Sequence, residues 1–292
     1  MDELFELLIG ALKIGAIYSL ASCGFVVIHK ATRTVNFAHG AFCMLGAYGA
    51  FAVVTLLKWP MVVAYTLVPF VVGLLAAAIE WLLLRPIRRA DVFSVVLATV
   101  FLGVAVTEII RLVYETELLS IPPVMSGTLW QITPTLTLTK ETAWIIGGAA
   151  LVALAGITVF ERMALGRGMR AMAANYRGAQ LCGYSVPVTY AAAWFLGGVL
   201  AGLAGVFAAP AMGITPDLAT ALIVPAFVAA VIGGFDSLRG VLIGGFILAI
   251  IETLAAAYIS SAAKSAASFV LVFLVLMVRP EGIFTEGTRR NA

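Results

Sequence analysis

Five ionisable side chains interrupt long apolar runs: Lys13, Glu80, Glu108, Arg111 and Glu252. In hydrocarbon a charge is costly unless it reaches an interface, pairs with an opposite charge or lines water. Glu80 lies near the end of its run, close to Arg85, and is expected to pair with it or snorkel. Glu108 and Arg111 are neighbours on one helix face and read as a local ion pair. Lys13 lies within snorkelling distance of the end of its run. Glu252 sits near the middle of its run, and two readings stay open: a structural pair with another helix, or a group facing a solute pathway.

The stretch Asn36-Phe-Ala-His39-Gly40 sets an amide, an imidazole and a glycine between two apolar runs. It also has two readings. Asn36 can cap the open N–H groups of a helix start, with Gly40 for close packing. Alternatively, Asn36, His39 and Gly40 form an inner gate, where an anionic group meets the positive end of a helix. Cys23, Cys43 and Cys182 are widely spaced and read as small core residues, with no disulfide or metal role. The motifs GxxxxGKS/T, HExxH and GxSxG are absent. No catalytic residue, metal site or cofactor is therefore assigned, and any ATP must be hydrolysed by another chain. Neither a voltage-sensor charge array nor a regular relay of acids and histidines is present.

The elements that carry these residues follow from composition. The chain is 62% hydrophobic and 11% charged, with a mean hydropathy of +1.08. A soluble domain is about half apolar and about a quarter charged, so these values exclude one. The apolar runs are too long and too uniform for barrel strands. The fold class is an all-α polytopic membrane protein, a single transmembrane domain over residues 1–292. The net charge of +3 is too small to suggest nucleic acid. The acidic start (Asp2, Glu3, Glu6) lacks the basic region of a signal peptide, so the first span is expected to be retained.

Runs of spanning length fall at about 7–28, 36–57, 61–84, 92–114, 142–160, 189–211, 219–235, 240–259 and 265–279. The seventh and ninth are short, so eight or nine helices are expected. Lys and Arg stay cytoplasmic. Nine spans put Lys30 and Arg33, then Arg85, Arg88 and Arg89, then Arg162, Arg167, Arg170 and Arg177, then Arg279, Arg289 and Arg290 all inside. The N-terminus is then outside with Lys58, Glu115, Glu117 and Asp217, and the C-terminus is inside. The segment from about 115 to 141, with Pro122, Pro123 and Pro134, reads as an irregular external loop. Small residues at helical spacing (Gly197, Ala201 and Gly205; Gly198 and Gly202; Gly240 and Gly244) predict close helix packing.

The inside segment from about 161 to 188 predicts one short amphipathic helix over 169–181. Met169, Met172, Ala173, Tyr176 and Leu181 share its face, Gly183 stops it and Pro187 opens the next span. Such a helix can rest in lipid headgroups or dock into the groove of a soluble partner.

The ordered set of motifs resembles the LivH type of bacterial branched-chain amino-acid ABC transporter permease over nearly the whole chain. The residues that carry the likeness are Gly15-Ala-Ile-Tyr-Ser-Leu20; Asn36-Phe-Ala-His-Gly40 with Phe42 and Leu45-Gly-Ala-Tyr48; and Glu80 with Arg85-Pro-Ile-Arg88. Further along they are Gly233-Gly-Phe-Asp-Ser237 with Gly240, Gly244 and Gly245; Ile251-Glu-Thr-Leu-Ala-Ala-Ala-Tyr258; and Arg279-Pro-Glu-Gly-Ile-Phe284. The resemblance implies an importer subunit in the bacterial inner membrane. Its implied partners are two ATPase subunits, a second permease chain expected to be a paralogue, an external solute-binding protein, and membrane lipid. It also makes the 161–188 segment a coupling element. Arg177-Gly178-Ala179 occupies the Glu-Ala-Ala positions of the coupling motif and Gly183 its glycine, so a base replaces the acid. Arg167 and Arg170 flank this element. The cargo implied is a branched-chain amino acid. Related cargoes such as urea or amides, and an ion-coupled secondary carrier, remain the alternatives.

Overall fold

The computed structural model describes residues 2–87, 91–114, 117–131 and 137–284. Arg88, Arg89, Glu115, Pro134, Arg289 and Arg290 lie outside the described residues. Helix α1 (Asp2–Thr32) is followed by α2 (His39–Phe51), which widens into a π turn over Ala52–Leu56. Helix α3 (Met61–Ile79) continues through a second π turn (Glu80–Leu84) into the short α4 (Arg85–Ile87), and α5 is Val92–Tyr114. Two short antiparallel strands follow, β1 (Thr128–Gln131) and β2 (Thr137–Thr139), then α6 (Lys140–Arg162), α7 (Ala164–Ala174) and α8 (Tyr176–Leu181). The chain continues with α9 (Val186–Met212), α10 (Leu218–Gly233), α11 (Leu238–Tyr258) and α12 (Ser261–Val278).

Eight helices among the described residues are long and apolar enough to cross a membrane. The all-α polytopic expectation holds. The predicted ninth span is long enough as α12, while the predicted seventh, α10, has 16 residues. At about 1.5 Å per residue α10 covers about 24 Å, short of the roughly 30 Å hydrocarbon core. It still reverses the chain, because Asp236, just beyond α10, meets Arg33 (3.2 Å) and Lys30 at the end of α1. The 115–141 segment, read as an irregular loop, holds two short paired strands among its described residues, and Leu119 bridges Ile214.

Helices α1 and α9 form the spine. Helix α1 packs on α6, α9, α10 and α11, and α9 packs on α1, α2 and α3. The glycine rows explain the tight fit. A methyl at Gly205 would run into the Cys43 carbonyl of α2, and one at Gly202 would press on Pro69 and Val72 of α3. Gly240 and Gly244 bring α11 onto the Gly233 and Ala229 carbonyls of α10. Helices α5 and α12 are peripheral, with exposed apolar faces that include Phe101, Leu112, Phe269 and Phe273.

Candidate functional site

Within the Asn36–Gly40 block, Asn36 and His39 are enclosed by the bundle, whereas Phe37 and Gly40 line a cleft. His39 is fully buried, and its Nε2 meets the Ala21 carbonyl of α1 at 2.8 Å. Ala21 precedes Thr32, the end of α1, by three turns, about 16 Å at 1.5 Å per residue. The chain after α1 therefore doubles back, and α2 begins deep in the bundle rather than at its surface. Phe25 packs edge-on to the imidazole. Asn36, 1% exposed, accepts the Ala38 N–H through Oδ1 at 3.0 Å, a turn just before the helix; the N-cap position itself is Ala38. Among the described residues, His39 Nδ1 and Asn36 Nδ2 are buried without hydrogen-bond partners. Gly40 lets α2 touch the Ala219 carbonyl at the start of α10.

Gly40 also lines the first of two clefts. This one, about 330 Å³, lies between α2, α5 and α10 and includes Phe37, Gly103, Thr107 and Thr220. Its rim carries the expected Glu108–Arg111 pair at 3.5 Å, and Arg111 also reaches Asp217 at 3.4 Å. Asn36 and His39 are not among its lining residues.

The second cleft, about 320 Å³, holds Glu252. This carboxylate is 3% exposed. Tyr18 of α1 donates its hydroxyl to Oε2 at 3.1 Å, and Ser268 of α12 donates to Oε1. Lys264 Nζ stands 3.7 Å from Oε2. Glu252 was expected to lie beyond reach of either helix end. The connection through Ser260, whose side chain caps α12, folds α12 back so that Lys264 in its first turns reaches the carboxylate. Glu252 is therefore paired with another helix and also lines a cleft. Tyr18, Lys264 and Ser268 were not singled out in the sequence. The signal was available: 252 and 268 are equidistant from Ser260, so a hairpin makes them neighbours.

The other intramembrane charges resolve as follows. Lys13 meets Glu141 of α6 at 3.6 Å rather than snorkelling. Glu80 is buried and lines a small cavity with Thr32, Thr34 and Tyr190. Of the cysteines, Cys23 and Cys43 are core residues, but Cys182, in the turn after α8, is exposed.

The predicted single helix over 169–181 is two helices broken at Asn175. Asn175 is extended (φ −153°), and its Oδ1 accepts the Gly178 N–H at 2.8 Å, capping α8. The break splits the predicted apolar face. Met169 and Met172 of α7 turn into the bundle, whereas Tyr176 and Leu181 of α8 are exposed, Leu181 at 90%. Arg170 is held inward by the Phe160 carbonyl and ring. Arg167 reaches the Arg162 carbonyl at 3.1 Å and remains exposed, as does Arg177. Ala179 is buried in a small cluster with Met172 and Val186, and Gly178 sits beside it at the capped start of α8. Gly183 ends α8 as expected, with φ +85°, a conformation that favours glycine.

These features define a multi-pass membrane permease: a tight helical bundle, two polar clefts between its helices, and an exposed amphipathic helix at one end. Residues 7–279 match the family model described as the permease component of branched-chain amino acid transport systems, and the chain belongs to that family. It is similar to the high-affinity branched-chain amino acid transport system permease protein LivH of Escherichia coli K12, 29% identical with 92% of each chain covered. BraD of Pseudomonas aeruginosa, also named a high-affinity branched-chain amino acid permease protein, is 27% identical with 97% of each chain covered. A probable LivH of Methanocaldococcus jannaschii is 29% identical over 94% of this chain and 90% of that one. A chain from the PsaBC complex of Streptococcus pneumoniae with Fab shares the fold, with a TM-score of 0.50 at 15% identity over 94% of this chain and 91% of that one. Family membership makes the chain the permease of an ABC importer, which works with ATPase and solute-binding partners.

Proposed function

We propose that the chain carries branched-chain amino acids into the cell across a bacterial inner membrane, with its N-terminus outside and C-terminus inside. The observation that carries this reading is the family match over residues 7–279. Two ATPase subunits drive it, a solute-binding protein delivers cargo outside, and a second permease chain, a paralogue, completes the pathway. The orientation draws support from one end of the bundle that gathers Lys30, Arg33, Arg239 and the α7–α8 unit, where Arg239 pairs with Glu161 at 2.8 Å. Basic residues of this kind stay cytoplasmic.

The coupling surface is the outward face of α8, with Tyr176, Arg177 and Leu181 toward the ATPase. Gly178 and Ala179 seat α8 on the bundle, and Gly183 turns the chain into α9. Arg167 flanks this surface, and Arg170 anchors its base. An apolar helix face with flanking charge suits a groove. The ATPase cycle can shift the bundle only through contacts that differ between its states, and α8 offers the exposed surface for them.

The test is uptake into proteoliposomes holding the complete complex, over a panel of amino acids and urea. Uptake of leucine, isoleucine and valine that needs ATP and the binding protein is the expected result. Uptake of urea alone, or uptake without ATP, overturns the reading. In the same system Gly183→Glu forces a charged side chain into a left-handed turn. ATP hydrolysis per leucine imported should rise at least about fivefold while the bundle stays folded, since left-handed strain costs only about 1–2 kcal/mol. Unchanged stoichiometry removes α8 from the coupling route.

A further inference from the structure

The Glu252 cleft contains more chemistry than a structural ion pair requires. Its polar lining comes from four helices: Tyr18 of α1, Thr220 of α10, Glu252 of α11, and Lys264, Ser265 and Ser268 of α12. Its apolar lining is Met212, Val224, Pro225 and Phe269. The volume of about 320 Å³ lies in the range of small-ligand sites.

Three features set the class of ligand. The first is charge balance. One carboxylate and one ammonium make the cleft neutral overall but strongly dipolar, which gives no advantage to a net anion or cation. The second is open valence. At 3.7 Å the Lys264 ammonium is in ionic contact with Glu252 yet outside hydrogen-bond range, so its three N–H groups are open to an acceptor. Each Glu252 oxygen takes one hydroxyl, from Tyr18 or from Ser268, and a carboxylate oxygen has capacity for a further donor. The third is backbone. Pro225 lies inside α10 and has no N–H to give the Ala221 carbonyl one turn earlier. Ala221 and Pro225 both line the cleft, so the turn of α10 that lacks this hydrogen bond borders it.

We propose that this cleft is a zwitterion site. Glu252, with the Ala221 carbonyl, receives the α-ammonium of an amino acid, and Lys264 receives its α-carboxylate. The aliphatic side chain lies against Met212, Val224, Pro225 and Phe269. This deepens the transport reading above and rests on it. A neutral amide such as urea has no ammonium to offer Glu252 and no carboxylate to offer Lys264, so the site favours the amino-acid cargo over the amide alternative.

The competing explanation is that Glu252 and Lys264 hold α11 to α12 and nothing else. A structural ion pair is damaged by losing one partner and is repaired, or improved, by losing both. The double variant Glu252→Gln with Lys264→Met therefore separates the two ideas. It is reconstituted with its ATPase, partner permease and binding protein, and assembly is checked by recovery of the complex on gel filtration. The zwitterion site predicts an assembled complex whose leucine uptake is lowered at least about fivefold, through loss of charge-assisted hydrogen bonds. A smaller fall in an assembled complex overturns the proposal. If the wild-type complex takes up leucine, the transport reading stands whichever way the variant behaves. If it takes up no amino acid, that reading fails and this site fails with it.

If the double variant does not assemble, a cysteine probe decides. Ser265→Cys places a thiol in the cleft, in a Cys182→Ser background that removes the exposed native thiol. Leucine supplied during turnover should slow maleimide modification at least threefold, while urea should not. Equal rates with and without leucine overturn the proposal.

Discussion

Two polar clusters are built across α1, and they have opposite characters. His39 and Asn36 are closed on all sides, and their polar contacts are to backbone: the Ala21 carbonyl and the Ala38 N–H. Glu252 is almost as buried, yet its contacts are side chains from α1 and α12, and one of them, Lys264, is 44% exposed at a cleft. Burial alone therefore does not separate a strut from a site. The useful distinction is what lies beyond the partners. Past His39 there is packed Phe25 and Gly24; past Glu252 there is open volume and an ammonium. The proposed cargo site uses the second cluster and leaves the first as a packed support, and each half of that contrast can be broken separately.

The largest effect is expected at His39. Truncating a fully buried ring leaves a cavity, and His39→Ala should cost about 3–5 kcal/mol, by analogy with other aromatic truncations. That loss should appear as a lowered Tm and protein level, with leucine uptake per folded complex unchanged. Lowered uptake at an unchanged Tm would move the block into the pathway and collapse the contrast. Next comes Glu252→Ala. Tyr18 and Ser268 lose their acceptor at a cost of about 2 kcal/mol, moderated because Lys264 keeps access to water. Uptake per folded complex should fall about tenfold, the loss of roughly one charge-assisted interaction. Ser268→Ala is smaller. It removes one donor to a charged acceptor, worth about 1.5 kcal/mol, and should raise the KM for leucine a few-fold by loosening the carboxylate. Asn36→Ala should be smallest, about 1 kcal/mol for one turn-capping bond, without any change in KM. A KM change at Asn36 and none at Ser268 would reverse the comparison.

Much of this architecture was legible in residue type and spacing. Long apolar runs marked nine of the helices, glycine rows marked the faces that touch, and the Glu108–Arg111 spacing gave its ion pair. What escaped depends on chain reversals that periodicity does not record. The depth of Asn36–Gly40 comes from the chain doubling back after Thr32, so a polar block between two spans reads as a surface turn when it is interior. Lys264 stands near the start of a span, where a lysine is unremarked, and acquires meaning only once the Ser260 connection sets α12 against α11. Asn175 suits a helix interior poorly and a cap well, so the division of the helix expected over 169–181 was available from one residue. Its consequence, Met169 and Met172 inward with Tyr176 and Leu181 outward, required the bend to be placed.

The backbone contact of α9 with its neighbours also has a mechanical consequence. Where Gly205 meets the Cys43 and Ala47 backbone of α2 there is no layer of side chains to shear, and at Gly202 only Pro69 and Val72 of α3 intervene. Close-packed interiors transmit strain instead of yielding to it. Helices α2, α3 and α9 should therefore move as one stiff plate, like a lever without a bearing of its own. The compliance needed for an alternating cycle has to come from elements held less tightly, and α5 and α12 bury little of themselves. Lys264 rides on α12. A swing of that helix would change its distance to Glu252, so an element held less tightly also carries one half of the charge pair.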